Sequence, residues 1–270
     1  VKPKIVQPTA ASESTKTPSL AYAPTTLPSR GRLYGPESVV PTPEIPGGVV
    51  EIRKMTIAED ELLASSGGSA LVRLSKLIAN CTKLPASFDA EKLLIADRVF
   101  LLIAIRTHTF GPSYQIQFKC RHCRHPNKRS VDVLSTLNEK PLADEIVEPF
   151  TVTLPDAGVT VGLRFTRGFD EQEALKMAKA AEARGQAATP IRDQLRQLIA
   201  EIDGEPIKNP LARIDLINRL TAVDLAAIRG ANAKAEFGVD LTIYPDCERC
   251  EASNELDMPF DVDFFRPTGD

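Results

Sequence analysis

The chain carries two cysteine pairs of identical spacing, Cys120/Cys123 and Cys247/Cys250, and no other feature limits its fold as strongly. A CxxC element turns the backbone tightly enough to aim both sulfurs at one point. Two such elements complete the tetrahedral four-thiolate set of a structural zinc ion, with Zn–S near ~2.3 Å. The contexts match as well: the first reads FKCRHCRHPNKRSVDV and the second YPDCERCEASNELDM. Each has an aromatic residue shortly before its first Cys and a strand-like segment on both sides. Positions 124–246 between the pairs hold 123 residues, where a compact zinc ribbon has on the order of 15–20. The predicted fold is therefore α+β, a split zinc ribbon of two knuckle hairpins with a large, mostly helical insertion. The entropy of closing so long a loop grows only logarithmically. Zinc binding, worth roughly 10–16 kcal/mol in model peptides, offsets it.

Other uses of the cysteines fit less well. A redox CxxC of the thioredoxin type needs a helix just after its first Cys, and neither pair is followed by one. An iron centre, disulfides or free thiols remain as alternatives. The fifth cysteine, Cys81, stands alone, and an odd count does not suit a secreted disulfide framework. Thiolates that bind metal in a reducing compartment do suit it. His122 and His125 flank the first pair, but four thiolates already fill a tetrahedron, so both are read as surface residues. His108 is read as a helix-capping residue.

Charge narrows the function classes. The net charge of -3 argues against a general nucleic-acid binder. Lys119, Arg121, Arg124, Lys128 and Arg129 nevertheless make the first knuckle basic, so a zinc-ribbon nucleic-acid-binding protein is kept as an alternative. The plainer reading is that these cations compensate a Cys₄ site whose charge with zinc bound is near ~-2. Asp246, Glu248 and Glu251 make the second knuckle acidic, so the knuckles should attract each other. No apolar run is long enough to span a membrane. Phosphate loops, GxSxG and HExxH are missing, so no catalytic or cofactor-binding residue is assigned and no small-molecule substrate is expected.

The chain divides by composition. Residues 1–48 hold nine of the 21 prolines and show no period. They are expected to form an extended arm, which lies on a neighbouring subunit or hangs as a bare tail. Residues 49–110 form an N-terminal helical region. In it, Val49–Met55 reads as a strand, Thr56 and Glu59 form a capping box, and Asp89 caps an apolar helix running to about His108. Residues 111–140 form the first knuckle hairpin. Residues 141–238 form the insertion: a hairpin over Phe150–Leu154 and Val159–Phe165, then helices. One helix runs from Thr189-Pro190 through Ile202 and stops at Asp203-Gly204. Asn209-Pro210 starts another, and Thr221 with Asp224 caps the last. Residues 239–270 hold the second knuckle, between strands at Val239–Tyr244 and Glu255–Phe260, and the C-terminal tail.

The order of these pieces is familiar. LLIAIRTHTFGPSYQIQFKCRHC leads to TVTLPDAGVTVGLRFTRGFDEQEAL, then to IAEIDGEPI and LTAVDLAAIR. The second CxxC follows, and then FDVDFFRP. Over roughly residues 50–267 this order resembles the T4-type phage baseplate hub protein family of contractile-tailed phages. The resemblance implies a structural or assembly protein of the tail baseplate, without enzymatic activity and located in the virion. Folding would take place in the host cytoplasm, and the partners would be other tail and baseplate proteins. A tail assembly chaperone is a further alternative. The family's cysteines carry over onto Cys120, Cys123, Cys247 and Cys250. The arm lies outside the resemblance and suits a protein that staples its neighbours.

Overall fold

The computed structural model of the chain describes residues 21–258 and 263–265. Among the described residues it is a mixed α+β structure with eight helices and several small sheets. The first sheet joins β1 (Tyr22–Thr26), β2 (Val49–Arg53) and β3 (Thr82–Lys83), all antiparallel. α1 (Ile57–Ala64) and α2 (Ala70–Cys81) lie between the last two strands. The Thr56/Glu59 capping box forms as expected, the Glu59 carboxylate accepting the Thr56 N–H at 2.8 Å.

The expected arm at residues 1–48 falls only partly within the described residues. Residues 1–20 lie outside the described residues. Residues 21–48, by contrast, fold onto the chain's own core, where Leu27, Leu33, Tyr34 and Ile45 are buried. The reason is a close backbone crossing rather than a periodic pattern. Gly31 and Gly48 both have positive φ, and a Cβ on Gly48 would lie 2.6 Å from the Arg30 backbone. Only glycine allows that approach. A turn at Ser29 and Tyr34 then reaches the carboxylate of Asp97.

α3 (Ile95–Phe110) is the apolar helix, and it starts later than the Asp89 cap predicts. Asp89 caps only a short 3-10 turn over Ala90–Lys92. Leu93 and Leu94 are then extended, because the chain pairs there with residues 166–168. Gly168 donates to the Leu93 carbonyl at 3.1 Å, and Ile95 donates to the Thr166 carbonyl at 3.1 Å. As its all-round apolar character requires, α3 is central, with Leu101, Leu102, Ile103 and Ile105 buried. Three polar side chains on it, Asp97, Arg98 and Arg106, are buried as well.

β4 (Ser113–Lys119) and β5 (Pro126–Asp132) form the first knuckle hairpin. α4 (Val133–Thr136) and β6 (Asn138–Lys140) follow. The insertion opens with β7 (Phe150–Thr153) and β8 (Thr160–Leu163), the expected hairpin. α5 (Gly168–Ala183) and α6 (Pro190–Leu198) come next. The helix expected to continue to Ile202 ends at Leu198. Ile199–Ile202 is instead β9, which pairs with β8, and Asp203-Gly204 turns the chain into β10 (Glu205–Pro206). Both turn residues have positive φ, 52° and 81°, the conformation of a tight hairpin turn and not of a helix stop. α7 (Pro210–Arg219) and α8 (Ala222–Ala235) start at the predicted Asn209 and Thr221 caps.

β11 (Gly238–Asp240) returns from the insertion and pairs with β6, Gly238 opposite Lys140 and Asp240 opposite Asn138. The entry and exit of the insertion are therefore hydrogen-bonded to each other. β12 (Thr242–Ile243) and β13 (Leu256–Asp257) carry the second knuckle. The predicted strand there is shorter than expected, and its last two residues, Pro259 and Phe260, lie outside the described residues. Two hydrophobic clusters result among the described residues. One joins residues 27–142 to Phe237, Ile243, Met258, Phe264 and Phe265. The other is built within the insertion, from Leu154, Val161 and Leu163 to Ile228. Among the described residues, no helix is long and apolar enough to cross a membrane.

Candidate metal centre

The two knuckles meet. The four sulfurs of Cys120, Cys123, Cys247 and Cys250 lie within 4.8 Å of one another. Across the knuckles, Cys120 Sγ is 3.7 Å from Cys250 Sγ, and Cys123 Sγ is 3.6 Å from Cys247 Sγ. A tetrahedral zinc thiolate has S···S edges of about 3.8 Å, given Zn–S near 2.3 Å. The donor set and its spacing therefore fit a tetrahedral thiolate-bound ion.

Each knuckle is built the same way. The first-Cys N–H is held by a carbonyl five residues on: Cys120 N to His125 O is 2.9 Å, and Cys247 N to Ala252 O is 3.0 Å. The first-Cys carbonyl accepts from Arg124 and Glu251, respectively, which close the turns with φ of 59° and 55°. His122 N–H points at Cys120 Sγ and Arg249 N–H at Cys247 Sγ, both at 3.4 Å. Such donors stabilise a thiolate over a thiol. Cys120 is held down to about 6, chiefly by the Cys123 backbone N–H and then, against burial, by that of His122. Cys247 is also lowered: burial opposes the shift, and the Arg249 and Cys250 N–H groups outweigh it. Cys250 is pushed up to about 12. The Ala252 N–H works against that rise, but the adjacent Cys123 sulfur, burial and the other two sulfurs prevail. Four thiols in mutual contact cannot all ionise without a cation among them.

Two asparagines lock the halves together. Asn254 Oδ1 accepts the N–H of Arg121 at 2.8 Å, and Asn127 Oδ1 accepts the N–H of Glu248 at 2.8 Å. Each asparagine also donates within its own knuckle, to His125 O and Ala252 O, both at 2.8 Å. Both are buried. Their signal is present in the sequence, since each lies seven positions after the first Cys of its knuckle. Metal-ligand spacing alone does not draw attention to them.

The other candidates fall away from the centre. Neither His122 nor His125 belongs to the metal-competent cluster, the only one among the described residues. His108 sits in the last turn of α3. Cys81 is buried at the end of α2, and burial pushes its thiol up to about 12. The opposite charges of the knuckles do meet: Arg129 Nε lies 3.5 Å from Glu248 Oε1 and 3.3 Å from the Asp246 carbonyl. That pair is exposed and contributes at most ~1 kcal/mol.

Comparison with known proteins adds one finding. A family profile described as T4 bacteriophage base plate protein matches residues 37–266. It starts earlier than the resemblance read from the sequence and takes in part of the Pro-rich segment. No curated protein matches the chain, and no solved structure does.

Proposed function

Because this chain belongs to the T4 bacteriophage base plate protein family, we propose that it is a structural component of the baseplate hub region, stabilised by zinc at Cys120, Cys123, Cys247 and Cys250. The observation that carries the zinc assignment is the meeting of four sulfurs at tetrahedral spacing. Zinc there would act as a clamp. It closes the base of the insertion on one side, and the β6–β11 pair closes it on the other. The separate hydrophobic cluster of the insertion supports reading the chain as a split ribbon carrying an inserted unit. With all four positions taken by protein, no site is left open for an activated water. That supports a structural rather than a catalytic role for the ion.

Neighbouring tail and baseplate proteins are the partners of such a component. Contact of the 1–48 arm with a neighbouring subunit is part of the same proposal, although Leu27, Tyr34 and Ile45 within it are buried inside the chain. Deleting residues 1–20 should impair assembly.

The test of the main reading is composition. Purified virions should contain the chain by mass spectrometry, cross-linked to baseplate neighbours. Finding it in infected cells but absent from virions would make it an assembly chaperone instead. Metal analysis of the purified protein should give one zinc per chain.

A further inference from the structure

We propose that Asn127 and Asn254 preassemble the metal centre, so that the ion enters two half-sites already docked and in register. The inference rests on reading the four cysteines as metal ligands, and it concerns how that site is held.

The argument begins with the exchange of partners. Asn127 belongs to the first knuckle but holds the Glu248 N–H of the second. Asn254 belongs to the second and holds the Arg121 N–H of the first. Each N–H belongs to the residue directly after a first-position cysteine. The residue after that, His122 or Arg249, aims its own N–H at the sulfur. Each asparagine therefore sets the orientation of the opposite knuckle's turn next to its ligand. It also pins its own knuckle through His125 O or Ala252 O, the carbonyl that holds the first-Cys N–H. One side chain thus spans both halves, and the arrangement occurs twice, once from each knuckle.

None of the four asparagine hydrogen bonds uses a sulfur or an ion. They are part-buried and centre on two buried asparagine side chains, whose polar atoms are costly to leave unpaired. The scaffolds beneath them are fixed independently. β4 enters the main cluster through Ile116, and β12 does so through Ile243. A ligand set whose supporting groups are already satisfied loses little ordering entropy when the ion binds. Groups that support ligands in this way typically change metal affinity about 10–100-fold when removed. Asn127 and Asn254 are accordingly positioning residues, not ligands.

The experiment uses the full chain, stripped with a chelator and reloaded with cobalt(II). In stripped wild-type protein the Arg121 and Glu248 amides should remain protected from hydrogen exchange. Exchange at open-chain rates would overturn the proposal. The variants give a crossed pattern. Asn254→Ala should deprotect Arg121, and Asn127→Ala should deprotect Glu248, each in the knuckle the substitution did not touch. Deprotection confined to the substituted knuckle would mean local support only and would overturn the proposal. Both variants should bind cobalt at least about tenfold more weakly, with the thiolate-to-cobalt absorption band kept at saturation; unchanged affinity would also overturn it. Should the alanine variants fail to fold, Asn127→Asp and Asn254→Asp keep the acceptor, and the crossed amides should stay protected. Their loss in a folded aspartate variant counts against the proposal. If wild-type protein shows no thiolate–cobalt band, the metal centre itself fails and this inference falls with it. A band with unchanged variant affinity defeats the inference alone.

Discussion

The Tyr34 hydroxyl donates to the Asp97 carboxylate at 2.6 Å, inside the protein. Ser29 N–H reaches the other oxygen of the same carboxylate at 3.0 Å, and Leu94 N–H donates to the Tyr34 oxygen at 2.9 Å. This network ties the Pro-rich segment to the first turn of α3. A carboxylate with no exposure is costly to ionise. Burial pushes Asp97 up to about 6, against the hydrogen bonds from Ser29 and Tyr34 that favour its charged form.

The sign of the resulting pH dependence follows from linkage. An unfolded Asp titrates near ~3.9, so the folded protein holds this proton more tightly. The contribution of Asp97 to stability is complete below about pH 4 and is lost as pH rises through about 6. Asp97→Asn removes that loss. Between pH 4 and 7 the variant should gain on wild type by an amount of order ~2 kcal/mol. Denaturant unfolding at several pH values measures it. Parallel wild-type and variant curves would contradict the assignment.

The acid limb should depend on Glu59. A bidentate hydrogen bond to Arg53, at 2.9 and 3.0 Å, holds its carboxyl down at about 2. An unfolded Glu titrates near ~4.3. Here stability is present above that value and lost as pH falls through about 2. Glu59→Gln should flatten the stability curve between pH 4 and 2. It should also lower stability at pH 7, because the Arg53 guanidinium loses its partner.

Arg106 is a buried cation held by carbonyl oxygens. Its Nη atoms donate to Gly111 O at 2.6 Å and Ser113 O at 2.7 Å. Its guanidinium lies 5.3 Å from the Tyr114 ring centre and 5.2 Å from that of Phe264. Arg106→Ala should destabilise by about 3 kcal/mol, leaving two carbonyls without donors and the aromatic rings without their filler. Arg106→Lys should recover less than half of this, since an ammonium cannot make the fork. Thermal unfolding of the two variants against wild type checks both values.

Removing a cysteine of the centre should be worse than removing the other one. Cys120→Ser or Cys247→Ser should abolish stoichiometric zinc and cost more than about 3 kcal/mol of stability. Cys81→Ser should leave metal content unchanged, since Cys81 lies apart from the cluster. Zinc content by mass spectrometry and denaturant midpoints separate these outcomes. A zinc-free Cys120→Ser protein that still assembles normally would show the clamp to be dispensable.

Where the determinant was local, the sequence alone determined most of the outcome, with the Asp89 cap, which starts only a short turn, as the exception. The Thr56, Asn209 and Thr221 caps started their helices because a cap needs only the next three residues. The β7–β8 hairpin followed from its turn. The two CxxC pairs announced one centre despite the 123 residues between them, because four thiolates of matched spacing have few other uses. The tertiary structure decided whatever depended on distant partners. Ile199–Ile202 carries on the apolar pattern of α6 but pairs with β8, so strand hydrogen bonds overrode local propensity. β6 has no apolar alternation at all and exists only because β11 lies beside it. Residues 21–48 lack any period, yet Gly31, Gly48 and the Asp97 carboxylate give them a place. Asn127 and Asn254 were readable as letters, but their roles were not. A hydrogen bond exchanged between residues more than a hundred positions apart leaves no periodic trace, and only the folded chain brings its two ends together.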